Sequence, residues 1–171
     1  MKITLQARND KFEETTYNII KKYKMHFLLD FHYSDYWADP GQQNKPDAWK
    51  NLSFDELKEA VHKYTYDVLY RLKIMDCAPD MVQIGNEIRS GMLFPDGAVP
   101  QYRQLAALVN EGIRAVRELL PETKVMIHLD QGGRYNCIMP WFDSMFNAGM
   151  LPIDAIGLSF YSFWHGTFMD L

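Results

Sequence analysis

Apolar residues recur along this chain with two alternating periods. Phe54, Leu57, Val61, Tyr64, Val68 and Leu72 step by three and four, the single stripe of an amphipathic helix. Ser53 and Glu56 precede that stripe at capping-box spacing. Tyr102, Leu105, Ala106, Val109, Ile113, Val116 and Leu120 form a second stripe, which Pro121 ends because proline cannot continue a helix. Phe12, Ile19, Ile20 and Tyr23 suggest an earlier helix, with Asn9 or Asp10 as cap and Lys21, Lys22 and Lys24 near its end. A fourth helix is expected over residues 137–148, closed by Gly149. Short apolar runs of strand length separate these stripes, at residues 25–31, 81–87, 124–130 and 155–161. The polar stretches 32–51 and 90–100 carry Pro and Gly and read as loops.

The order is therefore helix, strand, four times over. Such alternation implies parallel strands joined by helical crossovers, an α/β fold. Each strand run opens apolar and closes on polar or ionisable residues: Asp30 and His32, Asn86-Glu87, His128 and Asp130, then Tyr161 with Trp164 and His165. Active sites of (β/α) barrels are built at strand carboxyl ends. Doubly wound sheets bind ligands there too, but no glycine-rich phosphate loop follows any of these strands. A complete barrel takes about 250 residues, whereas four units already use nearly all of these 171. The expectation is a partial (β/α)8 TIM barrel, four parallel βα units of the eight, forming one domain over residues 1–171.

Composition changes this picture little. The apolar share is 47% and the charged share 23%, which excludes a disordered chain. Net charge is −4 without a basic cluster, so no nucleic-acid partner is expected. No run of eighteen apolar residues occurs, so no membrane span is expected, and the first ten residues lack the apolar segment of a signal peptide. Cys77 and Cys137 lie sixty positions apart, neither a zinc spacing nor a disulfide framework. No cofactor is implied.

Asn86-Glu87 carries the most chemistry. An apolar strand that delivers a carboxylate to a barrel rim supplies what a glycosidase acid needs, and a neighbouring amide can bond a sugar hydroxyl. The alternative is a glutamate that merely starts a helix. His32, Asp35, His128 and Asp130 allow a rival reading as divalent-metal ligands, although neither His-x-x-Asp nor His-x-Asp is a strong metal spacing. Asp30 reads as a buried structural carboxylate. Tyr33, Tyr36, Trp37, Trp49, Tyr161, Phe163 and Trp164 flank the strand ends, either as platforms for sugar rings or as loop packing, with Trp37 and Trp164 the best placed.

Several of these stretches, in this order, resemble glycoside hydrolase family 53, the arabinogalactan endo-β-1,4-galactanases. They are Asp30-Phe31-His32-Tyr33-Ser34-Asp35-Tyr36-Trp37-Ala38-Asp39-Pro40 with Lys45-Pro46-Asp47-Ala48-Trp49, and Pro79-Asp80-Met81-Val82-Gln83-Ile84-Gly85-Asn86-Glu87-Ile88. His128-Leu129-Asp130 and Ile156-Gly157-Leu158-Ser159-Phe160-Tyr161-Ser162-Phe163-Trp164-His165-Gly166 complete the set. The resemblance implies that the four strands are strands three to six of a (β/α)8 barrel. It implies retaining endo-hydrolysis of β-1,4-galactan in type I arabinogalactan, with Glu87 as catalytic acid/base. It further implies substrate-binding roles for Asn86, His32, Trp37, Asp39, His128, Asp130, Tyr161, Trp164 and His165. It also implies an extracellular site of action, although no signal peptide is read here. Ser162 replaces a usual Pro, Gln131-Gly132-Gly133 a common Asn-Gly-Trp, and Phe94 a common Trp.

By the same match the nucleophile lies on strand seven, outside these residues. The chain is expected to carry the acid/base alone and to be weakly active or inactive by itself. An open parallel sheet leaves two edges, which predicts self-association. The competing functions are a non-catalytic sugar-binding half-barrel and a metal-dependent barrel hydrolase.

Overall fold

The computed structural model describes residues 18–171 apart from 21, 168, 170 and 171. Residues 18–20, 22 and 23 are helical; the remainder of the first expected helix, with its cap at Asn9 or Asp10, lies outside the described residues. Four strands follow in one sheet: β1 (Leu28–Phe31), β2 (Met81–Ile84), β5 (Lys124–Leu129) and β6 (Ala155–Leu158), paired in that order and all parallel. Helices α1 (Phe54–Ile74), α2 (Tyr102–Leu119) and α3 (Tyr135–Asn147) cross between successive strands, and a short α4 (Ser162–His165) follows β6. A doubly wound sheet reverses its strand order at a switch point, whereas a barrel adds strands in chain order. Here the spatial order repeats the chain order, so the sheet is a four-strand arc of a (β/α)8 barrel.

Alternation along the strands divides the sheet into two faces. Leu29, Phe31, Val82, Ile84, Val125, Ile127 and Leu129 are buried. They pack with Leu57, Val61, Leu69 and Leu72 of α1 and Leu105, Val109, Ile113 and Val116 of α2 in one core. Burying each such side chain is worth about 1.5–3 kcal/mol. The opposite face carries Asp30, Gln83, Met126 and His128. Asp30 stands level with Gln83, Gln83 with Met126, and His128 with Gly157. Helix α2 comes close against β2 at Gly112, where a Cβ would lie 2.9 Å from the side chain of Ile84 and from the Tyr33 hydroxyl.

The capping box forms as expected. Ser53 Oγ accepts from the Glu56 N–H, and the Ser53 N–H donates to Glu56 Oε2 at 2.8 Å. The expected α1 stripe is shifted, because Thr65 and Leu69 are buried whereas Phe54, Tyr64 and Val68 are only half-buried. Thr65 enters the core because its hydroxyl donates to Val61 O at 2.7 Å and accepts from Tyr33 at 2.8 Å.

Two differences bear on the site. The stretch expected as a loop after residue 90 contains an antiparallel ribbon, β3 (Gly91–Met92) against β4 (Gly97–Ala98). Two residues per strand are too few to show an alternating pattern. The second strand also stops at Ile84, short of Glu87, because Gly85 turns to φ +78°. A Cβ at Gly85 would come within 2.6 Å of Ile88, so only glycine fits that turn.

Candidate active site

Glu87 therefore stands on a turn just past β2, with φ +53°. A non-glycine residue costs on the order of 1–3 kcal/mol in such a conformation, and such residues cluster at functional sites. Its neighbours over-determine the turn. The Asn86 side chain is 1% exposed and donates through Nδ2 to Ala38 O at 2.8 Å. Gln43 Nε2 donates to Asn86 O at 2.9 Å, so the loop after β1 holds both ends of Asn86.

Around Glu87 the strand ends form a connected polar layer. Ser159, just past β6, donates from Oγ to Glu87 Oε1. His128, within β5, has Nε2 3.1 Å from Ser159 Oγ and Nδ1 2.9 Å from Asn86 Oδ1. Gln83 Nε2 donates to Asp30 Oδ1 and to Gly85 O, the latter at 3.0 Å. His32 accepts from the Ala38 N–H through Nδ1 at 3.0 Å, which leaves its Nε2 to donate to Asp30 Oδ2 at 3.2 Å. Asp30 is thus the buried, bonded carboxylate expected from its position.

The expected site residues fall into three groups, with Asp130 apart from them. Glu87, Asn86 and His128 share the bonded layer, and His32 joins it through Asp30. Trp37 is 62% exposed and meets the His32 ring edge-on at 5.3 Å. Asp39, next to it, accepts from the Gly41 N–H at 2.7 Å and shapes that loop. Tyr161, Trp164 and His165 form a group after β6: Tyr161 and Trp164 are 60% and 71% exposed, and His165 Nδ1 accepts from the Tyr161 N–H at 3.1 Å. Asp130 faces Arg89, whose Nε donates to its two oxygens at 2.9 and 3.1 Å. That carboxylate holds the guanidinium above its ordinary pKa.

Two aromatic candidates pack inward instead, Tyr33 within the core and Trp49 half-buried against it. Tyr33 is 3% exposed and stacks on Phe31 at 5.4 Å. Burial pushes its phenol pKa well up, and its hydroxyl bonds inward to Thr65 rather than outward to a ligand. Trp49 packs on Tyr33 and Tyr64.

Among the described residues no group of three or more His, Cys, Asp or Glu could hold a metal ion. His32, His128, Asp35 and Asp130 each point at different partners: Asp30, Asn86, the Asp47 N–H and Arg89.

Ser159, Gln83 and Gln43 were given no role by sequence. Ser159 had a usable signal, since it is the first polar residue after the apolar Ala155–Leu158 run. The same rule had marked Asp30, Asn86 and Asp130.

The sequence profile of Glycosyl hydrolase family 53 matches residues 3–171. A Niallia circulans protein described as "Uncharacterized protein in bgaB 5'region" is 50% identical over 156 residues, 86% of this chain and 42% of its own length. The arabinogalactan endo-beta-1,4-galactanase of Thermothelomyces thermophilus is 36% identical over 144 residues, 81% of this chain and 43% of its own. The solved catalytic domain of that family from Ignisphaera aggregans superposes with a TM-score of 0.87 at 42% identity. That match covers 92% of this chain and 43% of that one. The chain thus spans less than half the length of these relatives.

Proposed function

Because the chain belongs to glycosyl hydrolase family 53, and is a glycoside hydrolase chain by that membership, we propose that it takes part in endo-hydrolysis of β-1,4-galactan with Glu87 as the acid/base. The observation that carries this is the position of Glu87. It is one carboxylate on a fixed turn at the strand carboxyl ends, with an amide beside it and exposed aromatic faces at Trp37 and Trp164. The galactanase name of the Thermothelomyces relative favours galactan among β-linked polymers.

Glu87 protonates the glycosidic oxygen as the C–O bond to the anomeric carbon breaks. It then takes a proton from the water that completes the reaction. Trp37, Trp164 and Tyr161 stack on the apolar faces of successive galactose rings. His32, Asp39, His128, Asp130 and His165 bond sugar hydroxyls or fix the groups that do. A retaining mechanism needs a second carboxylate about 5–5.5 Å away. Asp30, in the bonded layer, is held by Gln83 and His32, and Asp130 by Arg89. The family resemblance puts the nucleophile on strand seven, whereas the four strands here correspond to strands three to six. A polymer substrate of this size is met outside the cell.

The test is a reducing-end assay on galactan, xylan and mannan, with and without formate as an external nucleophile, whose glycosyl ester hydrolyses to a new reducing end. Galactan alone should be cleaved, only with the added anion, and Glu87→Gln should lower the rate by about 10²- to 10⁴-fold. Preference for xylan or mannan contradicts the substrate. Cleavage without the anion contradicts the assignment of the nucleophile. Full activity in the variant, or no cleavage under any condition, contradicts Glu87 as the acid.

A further inference from the structure

Glu87 takes its direction from the peptide group before it. With φ +53° and ψ +46° it is a non-glycine residue in the left-handed region, which persists only where neighbours hold it. Rotating the Asn86–Glu87 peptide about its two flanking single bonds would carry Glu87 towards the negative φ that such residues prefer. The amide nitrogen lies off the Cα–Cα axis, so that rotation also tilts the Cα–Cβ bond. A tilt at Cα is magnified at the carboxylate, at the far end of the side chain.

Gln43 opposes the rotation. The group it faces is a backbone carbonyl, which can only accept, so the Gln43 group there is the NH2. Its Nε2 donates to Asn86 O at 2.9 Å, and the residue is 2% exposed. A rotated peptide would withdraw this acceptor and break a buried hydrogen bond. That cost is comparable with the strain of one left-handed residue, so the bond decides between the two arrangements. On the other side of the same peptide the Glu87 N–H faces His128 Nδ1 at 3.4 Å, beyond the usual range, and is held less firmly.

Gln43 is itself anchored from behind. Its carbonyl accepts from the Phe94 N–H at 2.7 Å, and Asn44 forms a parallel bridge with Phe94. Lys45 Nζ meets Asp96 Oδ2 at 2.6 Å, with side chains only 10% and 22% exposed. Ser90 Oγ donates to Pro40 O at 2.6 Å. Phe94 and Asp96 lie in the turn between β3 and β4. The ribbon after β2 thus grips the loop after β1, and that loop grips the peptide that carries Glu87.

We propose that Gln43 is a positioning residue for the acid/base: its side-chain amide, anchored through the β3–β4 ribbon, keeps the Asn86–Glu87 peptide in the orientation that aims Glu87 at the substrate. This rests on Glu87 being the acid/base.

The experiment compares the wild-type chain with Gln43→Met, which keeps the length and loses the donor, and Gln43→Asn, which keeps the amide and loses its reach. NMR of the labelled chains reads the Glu87 backbone through its three-bond HN–Hα coupling and its Cα and Cβ shifts. Galactan cleavage with formate is read below each unfolding midpoint. The wild type should show a left-handed Glu87. Both variants should shift the Glu87 signals towards an ordinary backbone while the signals of the four parallel strands stay in place. They should lower kcat by about 10- to 10²-fold, with KM within about 2-fold of wild type. A wild-type Glu87 that is not left-handed overturns the proposal. So does a folded variant that keeps the wild-type Glu87 signals, or a loss of cleavage carried by KM alone. If Gln43→Met does not fold, Gln43→Asn decides; if neither folds, Gln43 serves the fold and the proposal fails. The coupling and shifts need no substrate, so absence of cleavage in the wild type contradicts the proposed function and leaves the conformational test to decide on Gln43.

Discussion

The two ends of the parallel sheet use carboxylates in opposite ways. At the amino ends, Asp80 and Asp154 each precede a strand and accept from the backbone of the strand before it. Asp80 Oδ2 accepts from the Phe27 N–H at 2.7 Å, and Asp154 Oδ2 from the Val125 N–H at 2.7 Å. Each returns the bond, Asp80 N–H to Phe27 O and Asp154 N–H to Val125 O, both at 2.9 Å. At the carboxyl ends, Glu87 bonds a hydroxyl that also meets an imidazole. At the amino ends, the backbone N–H that each carboxylate faces never gives up its proton, so that bond pins the strand; the other partners, the exposed His26 ring 3.2 Å from Asp80 Oδ1 and the Arg117 guanidinium on Asp154, add ion pairs to it. A carboxylate facing Ser159 and His128 has partners that exchange protons. The same residue type pins backbone at one end and, under the proposed function, serves chemistry at the other.

The largest effect that would break this contrast is at Asn86, where fold and chemistry meet. Asn86→Ala should cost about 1–3 kcal/mol, because it strands Ala38 O and His128 Nδ1 in a buried setting. Chemical denaturation should show that loss together with a fall in galactan cleavage. Tyr33→Phe should cost about 1 kcal/mol through its lost bond to Thr65 and leave cleavage unchanged, since Tyr33 serves the core.

Acid should act on the amino ends. The bond from the Phe27 N–H holds the Asp80 carboxyl below its ordinary pKa, and the bond from the Val125 N–H, aided by Arg117, does the same for Asp154. Their folded pKa values are depressed, so their stabilisation is present above the ordinary value of 3.8 and fades as pH falls through the folded values. Thermal melts between pH 6 and 2 should show a drop that is smaller in Asp80→Asn/Asp154→Asn. The smallest stability effect is expected for Trp164→Ala, within about 0.5 kcal/mol for so exposed a side chain. Calorimetry with β-1,4-galactotetraose should nonetheless show binding weakened about 2- to 10-fold, as loss of one stacking contact implies.

Much of this was legible in the sequence because it depends on local patterns. The Ser53–Glu56 box, the α2 stripe and the four apolar runs each state their element within a dozen residues. Glu87 was legible as a strand-end carboxylate after an apolar run. What stayed hidden depends on partners distant in the chain. Gln83 and Gln43 matter through Asp30 and Asn86, and Ser159 through groups 31 and 72 positions away. Tyr33 was left open between sugar platform and packing, because only the packed fold shows Thr65 and Phe31 around it. The β3–β4 ribbon stayed hidden because two residues per strand carry no period.

The most direct test compares Glu87→Gln with Asp80→Asn on the same samples, reading the unfolding midpoint and galactan cleavage in the presence of formate. The account predicts a crossed result. Glu87→Gln should lose cleavage by about 10²- to 10⁴-fold with stability within about 0.5 kcal/mol of wild type. Asp80→Asn should unfold earlier and keep its cleavage rate below its midpoint. If Glu87→Gln unfolds earlier while still cleaving galactan, or Asp80→Asn loses cleavage while fully folded, the two ends of the sheet do not divide the work in this way.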